Sequence, residues 1–144
     1  MKNKITTTLL VITIVTTLFL TSCQPAKPAA LSNDQVVQIV DNILKAINTG
    51  DYQAFTQDFS DGMNNAFTED QFTSLADLLQ NASGSYVSCA DSAPALSNNQ
   101  DYAVYRLNCT YELESVIVTV TFKVDGDKVE GLFFDSTNLR KASQ

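Results

Sequence analysis

The chain contains no histidine. That removes Ser-His-Asp and Cys-His nucleophiles and His-bearing zinc sites from consideration. Basic residues are few, nine Lys and Arg against sixteen Asp and Glu, for a net charge of −7. Phosphate binding relies on Lys and Arg to displace counterions, so the balance argues against nucleic acid as a partner. Glycine and proline are scarce, five and three in 144 residues, while 44% of the chain is hydrophobic. This composition excludes a collagen-like or disordered chain, and the length allows at most one ordinary domain.

The N-terminus carries the clearest address. Lys2 and Lys4 precede an uncharged run from Ile5 to Leu20, and Leu20-Thr21-Ser22-Cys23 follows. A basic start, an apolar run and small residues at a cut site form a secretory signal. The last four residues also resemble the lipobox of bacterial-type lipoproteins. That resemblance implies cleavage before Cys23 and acylation of its sulfur and amino group. The competing readings are a plain signal peptide that ends near a Cys, and an uncleaved helix anchor. Residues 1–22 are read as the signal peptide, 23–31 as lipidated Cys and tether, and 32–141 as the domain. The expected location is the extracytoplasmic face of a membrane. Two or more acyl chains anchor a protein stably where one does not. Cleavage leaves 122 residues with seven basic against sixteen acidic side chains, a charge of −9. Gln24 to Ala30 contains two prolines and is a poor helix. Its seven residues reach roughly 25 Å at about 3.3–3.6 Å each, which keeps the domain close to the bilayer.

Three helices follow. Ser32 with Gln35 forms a capping box, and Val36, Val40, Ile43, Leu44 and Ile47 recur at helical spacing. Gly50 suits a left-handed C-terminal position, and Asp51 caps a short helix whose Tyr52, Phe55 and Phe59 share a face. Asp61-Gly62 is read as an interruption. Thr68 with Gln71 opens a third helix bearing Phe72, Leu75, Ala76 and Leu79, which Ser83-Gly84 ends.

From Ser85 the period changes to two, and four strands are expected. Val116 to Val124 alternates apolar and polar residues, and Asp125-Gly126 is a hairpin turn. That turn pairs Phe122 with Val129, Val120 with Gly131, Val118 with Phe133 and Val116 with Asp135. A preceding turn at Leu113-Glu114 pairs Tyr111 with Val116, Cys109 with Val118, Leu107 with Val120 and Tyr105 with Phe122. The first strand, Ser85 to about Asp91, then sets Cys89 against Cys109 and Val87 against Tyr111. Pro94 to Gln100 is read as a loop. With Cys23 lipidated, two cysteines remain, and in an exported chain a Cys89–Cys109 disulfide is geometrically allowed and favoured over two free thiols.

Helices followed by an antiparallel meander form an α+β layout. Gly50-Asp51-Tyr52-Gln53-Ala54-Phe55, then Asp58-Phe59-Ser60-Asp61, then Gly84-Ser85-Tyr86 and a last strand ending in Phe133-Phe134 resemble the domain-of-unknown-function family numbered 3887. The resemblance covers roughly Ser32 to Lys141. It implies a fold similar to the nuclear-transport-factor-2-like (cystatin-like, SnoaL-like) cone, a bent four-stranded sheet wrapped on helices. It brings no catalytic residues.

Tyr105, Tyr111, Phe122 and Asp135 fall on the inner face in this register and are the candidate pocket. A carboxylate beside phenols can do acid–base work in an apolar cavity. The plainer alternative has Asp135 in water and the tyrosines in the core. Asp125-Gly126-Asp127 lacks the spacing of a calcium loop, and neither a cofactor nor a metal is expected. Leu132, Phe134 and Ile117 fall on the outer face, where they would form a partner or dimer surface unless Thr137–Gln144 or the second helix covers it. The leading functional reading is a membrane-anchored lipoprotein whose domain binds a small apolar ligand or a protein partner. A cavity isomerase or hydrolase-accessory enzyme and a structural homodimer are the alternatives.

Overall fold

The computed structural model describes residues 31–90, 94–96 and 101–144. The signal peptide, Cys23 and most of the tether lie outside the described residues. Helix α1 spans Asn33–Thr49. Both halves of its capping box are formed: the Gln35 amide donates to the Ser32 hydroxyl at 3.4 Å, and the Ser32 amide donates to the Gln35 side chain at 3.0 Å. Gly50 closes it at φ 69°, a conformation that costs a residue with a Cβ. Asp51 then caps α2 (Tyr52–Thr56).

The expected interruption at Asp61-Gly62 is instead the first turn of another helix, α3 (Asp61–Ala66). The reason is Ser60, whose hydroxyl accepts from the Met63 amide and caps it. Helix α4 spans Glu69–Ser83 behind the Thr68/Gln71 capping box. A further short helix, α5 (Thr137–Ala142), starts at Ser136.

The strands are β1 (Tyr86–Cys89), β2 (Pro94–Leu96), β3 (Tyr102–Tyr111), β4 (Ser115–Lys123) and β5 (Val129–Asp135). They form an open antiparallel sheet in the order β1-β3-β4-β5, and β2 pairs with β3 beside β1. Residues 94–96, expected in a loop, therefore add a short strand. The fold is α+β, with the helices packed on one face of the sheet. Val36, Val40, Ile43 and Leu44 of α1 meet Tyr105, Leu107, Val116, Val118, Val120 and Phe122 in one buried cluster.

Alternation of faces along β3 and β4 holds, but the register does not. Cys109 opposes Val116, Leu107 opposes Val118, Tyr105 opposes Val120 and Ala103 opposes Phe122. The turn sits one residue earlier than read, at Glu112-Leu113, closed by the Tyr111 amide donating to Glu114 O. Its position follows from docking on the end of α4. The Leu113 and Glu112 amides donate to the Ser83 and Ser85 carbonyls, both at 3.0 Å. Gly84 lies beneath, at φ 78°, where a Cβ would come within 2.9 Å of Glu112 Cβ. A two-residue register change keeps every side chain on its face, which is why the inner set survives.

The β4–β5 ladder corrects the reading more deeply. Phe122 opposes Val129 as expected, but Thr121 opposes Gly131, Val120 opposes Leu132, Val118 opposes Phe134 and Ile117 opposes Asp135. Glu130 is the extra residue of a bulge. Its carboxylate accepts from the Ser60 hydroxyl at 3.1 Å and pairs with Lys123 at 3.3 Å. The one-residue shift turns Leu132 and Phe134 toward the helices and Asp135 to the outer face. Phe133, not its neighbours, is the exposed ring, 63% accessible.

A second irregularity, between Tyr86 and Ser88, sets Tyr86 rather than Val87 against Tyr111 and leaves Val87 exposed. Asn48 explains this: its amide clamps Tyr86 by donating to Tyr86 O and accepting from Tyr86 N. Cys89 opposes Cys109, and a disulfide joins them across 20 residues. A closed loop of that size contributes roughly 3 kcal/mol on the loop-entropy account.

Phe55 is fully buried, and its ring lies 4.8 Å from both Phe59 and Phe72 and 5.4 Å from Phe67. Phe55→Ala should cost about 3–5 kcal/mol in urea melts. The exposed acids Glu69 and Asp127 serve as controls, and their alanine variants should stay within about 0.5 kcal/mol. Unchanged stability in Phe55→Ala would refute this packing.

Candidate functional site

The four residues expected to line a pocket do not converge. Tyr105 and Phe122 touch, ring centroids 5.8 Å apart, and both are buried. The Tyr105 hydroxyl donates to Leu31 O at 2.7 Å, which ties the start of the domain to the sheet. Tyr111 packs edge-on against Tyr86 at 5.6 Å. Its hydroxyl is buried and has no hydrogen-bond partner among the described residues. Asp135 lies on the opposite face, held by Arg140 Nε at 3.0 Å. The bulge at Glu130 separates the carboxylate from the phenols, so the acid–base constellation is not assembled.

The phenols are also poor proton donors. Burial raises Tyr111 and Tyr105 above the ordinary phenol value. Burial raises Tyr86 as well, reinforced by the hydrogen bond to Asp41 at 2.9 Å. These three tyrosines are core residues. The motif residues Gly50, Asp51, Tyr52, Phe55 and Phe59 are structural too: a C-cap, an N-cap, and rings of one cluster, with Tyr52 OH donating to Phe67 O at 2.6 Å.

The feature best suited to recognition lies elsewhere. A groove of about 500 Å³ runs between α4, β5 and α5. Gln71, Ser74, Leu75 and Leu78 form its α4 wall, and Leu132, Phe133 and Phe134 its β5 wall. Met63 and Phe67 close one end, and Leu139 and Ser143 of α5 close the other. Leu78, Leu113 and Phe133, three exposed large apolar residues, surround α5. A wrong strand register hid this site from the sequence. Helical spacing puts Leu75 on the face of Phe72, and an unbulged β5 puts Leu132 and Phe134 outward.

Glu114 sets the α5 end of the groove. One carboxylate oxygen accepts from the Ser83 hydroxyl at 2.8 Å and the Ser136 hydroxyl at 2.6 Å; the other accepts from the Asn138 amide at 3.2 Å. Asn138 also donates to Ala82 O at 3.1 Å. The carboxylate thus joins the end of α4, the β3–β4 turn and the first turn of α5. Ser83 and Ser136 are the buried polar residues of the described chain. Partial desolvation pushes the Glu114 carboxyl up, but the hydrogen bonds from Ser136, Ser83 and Asn138 outweigh it and leave the group below its ordinary value. No sequence signal marks Glu114 beyond its place beside a turn.

Among the described residues, no group of three or more His, Cys, Asp or Glu side chains is arranged to hold a metal ion, and no helix is long and apolar enough to cross a membrane. The described residues thus define an α+β domain with an open sheet and an apolar groove at its β5 edge. The chain belongs to the family described as Protein of unknown function (DUF3887), which matches residues 40–132. The matched span stops at Leu132, so Phe133, Phe134 and α5 lie beyond it. A search of the curated proteins finds no match.

Tyr111→Phe should be neutral or stabilising by up to about 1 kcal/mol, because it deletes a buried hydroxyl without a partner. Tyr105→Phe should cost about 1 kcal/mol, because it orphans Leu31 O. Chemical melts of the two variants separate these outcomes.

Glu114 gives a pH signature. Its folded pKa is depressed, so its contribution is present above the ordinary carboxyl value and is lost as pH falls through the folded one. Glu114→Gln should lower stability at neutral pH, and the gap from the parent should narrow as the medium is acidified below the ordinary carboxyl range. A constant gap from neutral to strongly acidic pH would count against the carboxylate as the joining group.

Proposed function

We propose that this protein is an exported lipoprotein, anchored through Cys23, whose domain docks a protein partner in the groove between α4, β5 and α5. The observation that carries the docking reading is the groove itself. It is lined by leucines and phenylalanines, open to solvent, and walled by the edge strand of the sheet. Apolar surface gathered in one place marks interaction sites more than scattered exposure does. The anchoring reading rests on Lys2, Lys4, the apolar run and Leu20-Thr21-Ser22-Cys23. The order of helices before an antiparallel meander supports a nuclear-transport-factor-2-like cone, here left open on the β5 side. A small apolar ligand is the second reading, favoured by a groove volume within the range of small-molecule sites.

Two measurements test these readings. Cys23→Ser should release the protein from the membrane fraction or leave it unprocessed, and full membrane retention with an unmodified Cys23 would end the lipoprotein reading. A photoreactive residue in place of Leu78 should form an adduct with a single protein in intact cells. An adduct of low mass would favour the small ligand, and no adduct would overturn both uses of the groove.

A further inference from the structure

The β5 edge of the sheet carries backbone hydrogen-bonding groups without a backbone partner among the described residues. Glu114 O accepts from Tyr111, so even-numbered residues of β4 direct their backbone groups to β3 and odd-numbered ones to β5. Thr121, Thr119 and Ile117 therefore bond Gly131, Phe133 and Asp135. The N–H and C=O groups of Leu132 and Phe134 are left facing outward. At the near end of the same edge, the chain already uses such groups. Val129 N donates to Asp58 O at 2.8 Å, and Ser60 N donates to Val129 O at 2.9 Å. Phe59 forms a parallel bridge with Val129 there. Beyond Val129, no backbone hydrogen bond among the described residues reaches the outer edge of β5. The side chains of Leu132 and Phe134 line the groove, so open backbone groups and apolar walls lie side by side.

Two acids flank the α4 wall of the groove, while Lys141 of α5 stands beside Leu78 at the other end. Ser74 lines the groove, and Asp70 and Asp77 are its i−4 and i+3 neighbours on α4. Both are exposed, and neither forms an ion pair among the described residues. The mature chain itself carries an excess of negative charge. A ligand of opposite sign fits this wall.

We propose that the groove binds an extended, basic and apolar peptide segment of a partner protein as an added strand on β5. The proposal rests on the partner-docking reading and specifies its chemistry. Leu132 and Phe134 supply main-chain hydrogen bonds, alternate apolar side chains of the peptide enter between Leu75, Leu78 and Leu139, and its lysines or arginines, on the opposite face of the strand, are drawn by the negative charge of Asp70 and Asp77 through solvent. Strand addition takes affinity from the main chain and specificity from the alternating pockets. An unpaired edge is a template for this pairing unless it is blocked. Among the described residues, only the Val129 end of this outer edge is occupied by the chain's own backbone.

The probe is a nine-residue, end-capped peptide of alternating valine and lysine, titrated into the full chain in nonionic detergent. Two analogues, one N-methylated at its valines and one at its lysines, each close one hydrogen-bonding edge of the peptide. The parent peptide should bind at submillimolar concentration and shift the backbone amide resonances of Leu132 and Phe134. At least one analogue should bind tenfold or more weakly. A valine–glutamate peptide should bind more weakly than the parent, and Asp70→Asn with Asp77→Asn should reduce that difference. No binding at millimolar peptide, equal binding by all three lysine peptides, or shifts confined to the outer face of the sheet would overturn the proposal. The docking reading has its own outcome: a Leu78 protein adduct in cells together with a negative peptide titration would leave docking in place without strand addition.

Discussion

The bulge at Glu130 decides what the edge of this protein can do. Side chains alternate along a strand, so one inserted residue exchanges the faces of all that follow. Before the bulge, Val129 faces the core. After it, Leu132 and Phe134 face the helices, while Phe133 and Asp135 face out. Two contacts hold the extra residue in place: the Ser60 hydroxyl from the α2–α3 corner and Lys123 from the end of β4. The salt bridge is exposed on its lysine side and is worth little alone. The backbone bonds from Asp58 and Ser60 to Val129 do more, because they fix the strand immediately before the bulge. The groove's β5 wall therefore depends on a corner of the chain some seventy residues away in sequence.

The opposite end of the groove depends on Glu114. Helix α5 has only six residues, too short to be stable by propensity alone. It is held by Leu139 in the core, by the Ser136 cap, and by the carboxylate that also accepts from Ser83. Because Ser83 and Ser136 are buried, losing their shared acceptor would strand two hydroxyls without water. The same carboxylate fixes the turn whose position the β3–β4 register follows. Gly84 allows that turn to come within contact of the helix end, where a Cβ would collide with Glu112.

Local signals in the sequence translated well. The boxes at Ser32/Gln35 and Thr68/Gln71, the Gly50 corner and the Asp51 cap are encoded by residues three or four apart, and each formed as read. The Cys89–Cys109 pairing also held, because it depends on the β1–β3 register near the disulfide. Of the pairs that an Asp125-Gly126 turn implies, Phe122 with Val129 forms; Val124 with Asp127 does not, because β4 ends at Lys123 and Val124 N donates to Asp101 O instead. What failed depends on contacts between distant segments. The bulge needs Ser60 against Glu130, and the kink in β1 needs Asn48 against Tyr86. The docked turn needs Ser83 and Gly84 beneath Glu112 and Leu113. Alternation alone carries no trace of them. A two-residue error in β3–β4 left every face correct, whereas a one-residue error in β5 moved Asp135, Leu132 and Phe134 to the wrong side.

That contrast bears on how the molecule can act. An unbulged β5 register puts Asp135 inward beside Tyr111, the arrangement for acid–base work in an apolar cavity. In the structure, Asp135 is engaged with Arg140 on the outer face, and the tyrosines fill the core. These phenols are buried, and burial raises their pKa values. The accessible apolar surface lies where the sheet stops, along β5. An edge strand ordinarily needs protection, and among the described residues only the first residue of β5 is bonded on the outer edge by the chain's own backbone. The exposure of Phe133 and Leu78 beside that edge is costly for a chain that acts alone, because apolar surface stays in contact with water. It becomes favourable once a second segment covers it, and strand pairing and apolar burial would then act on the same few residues.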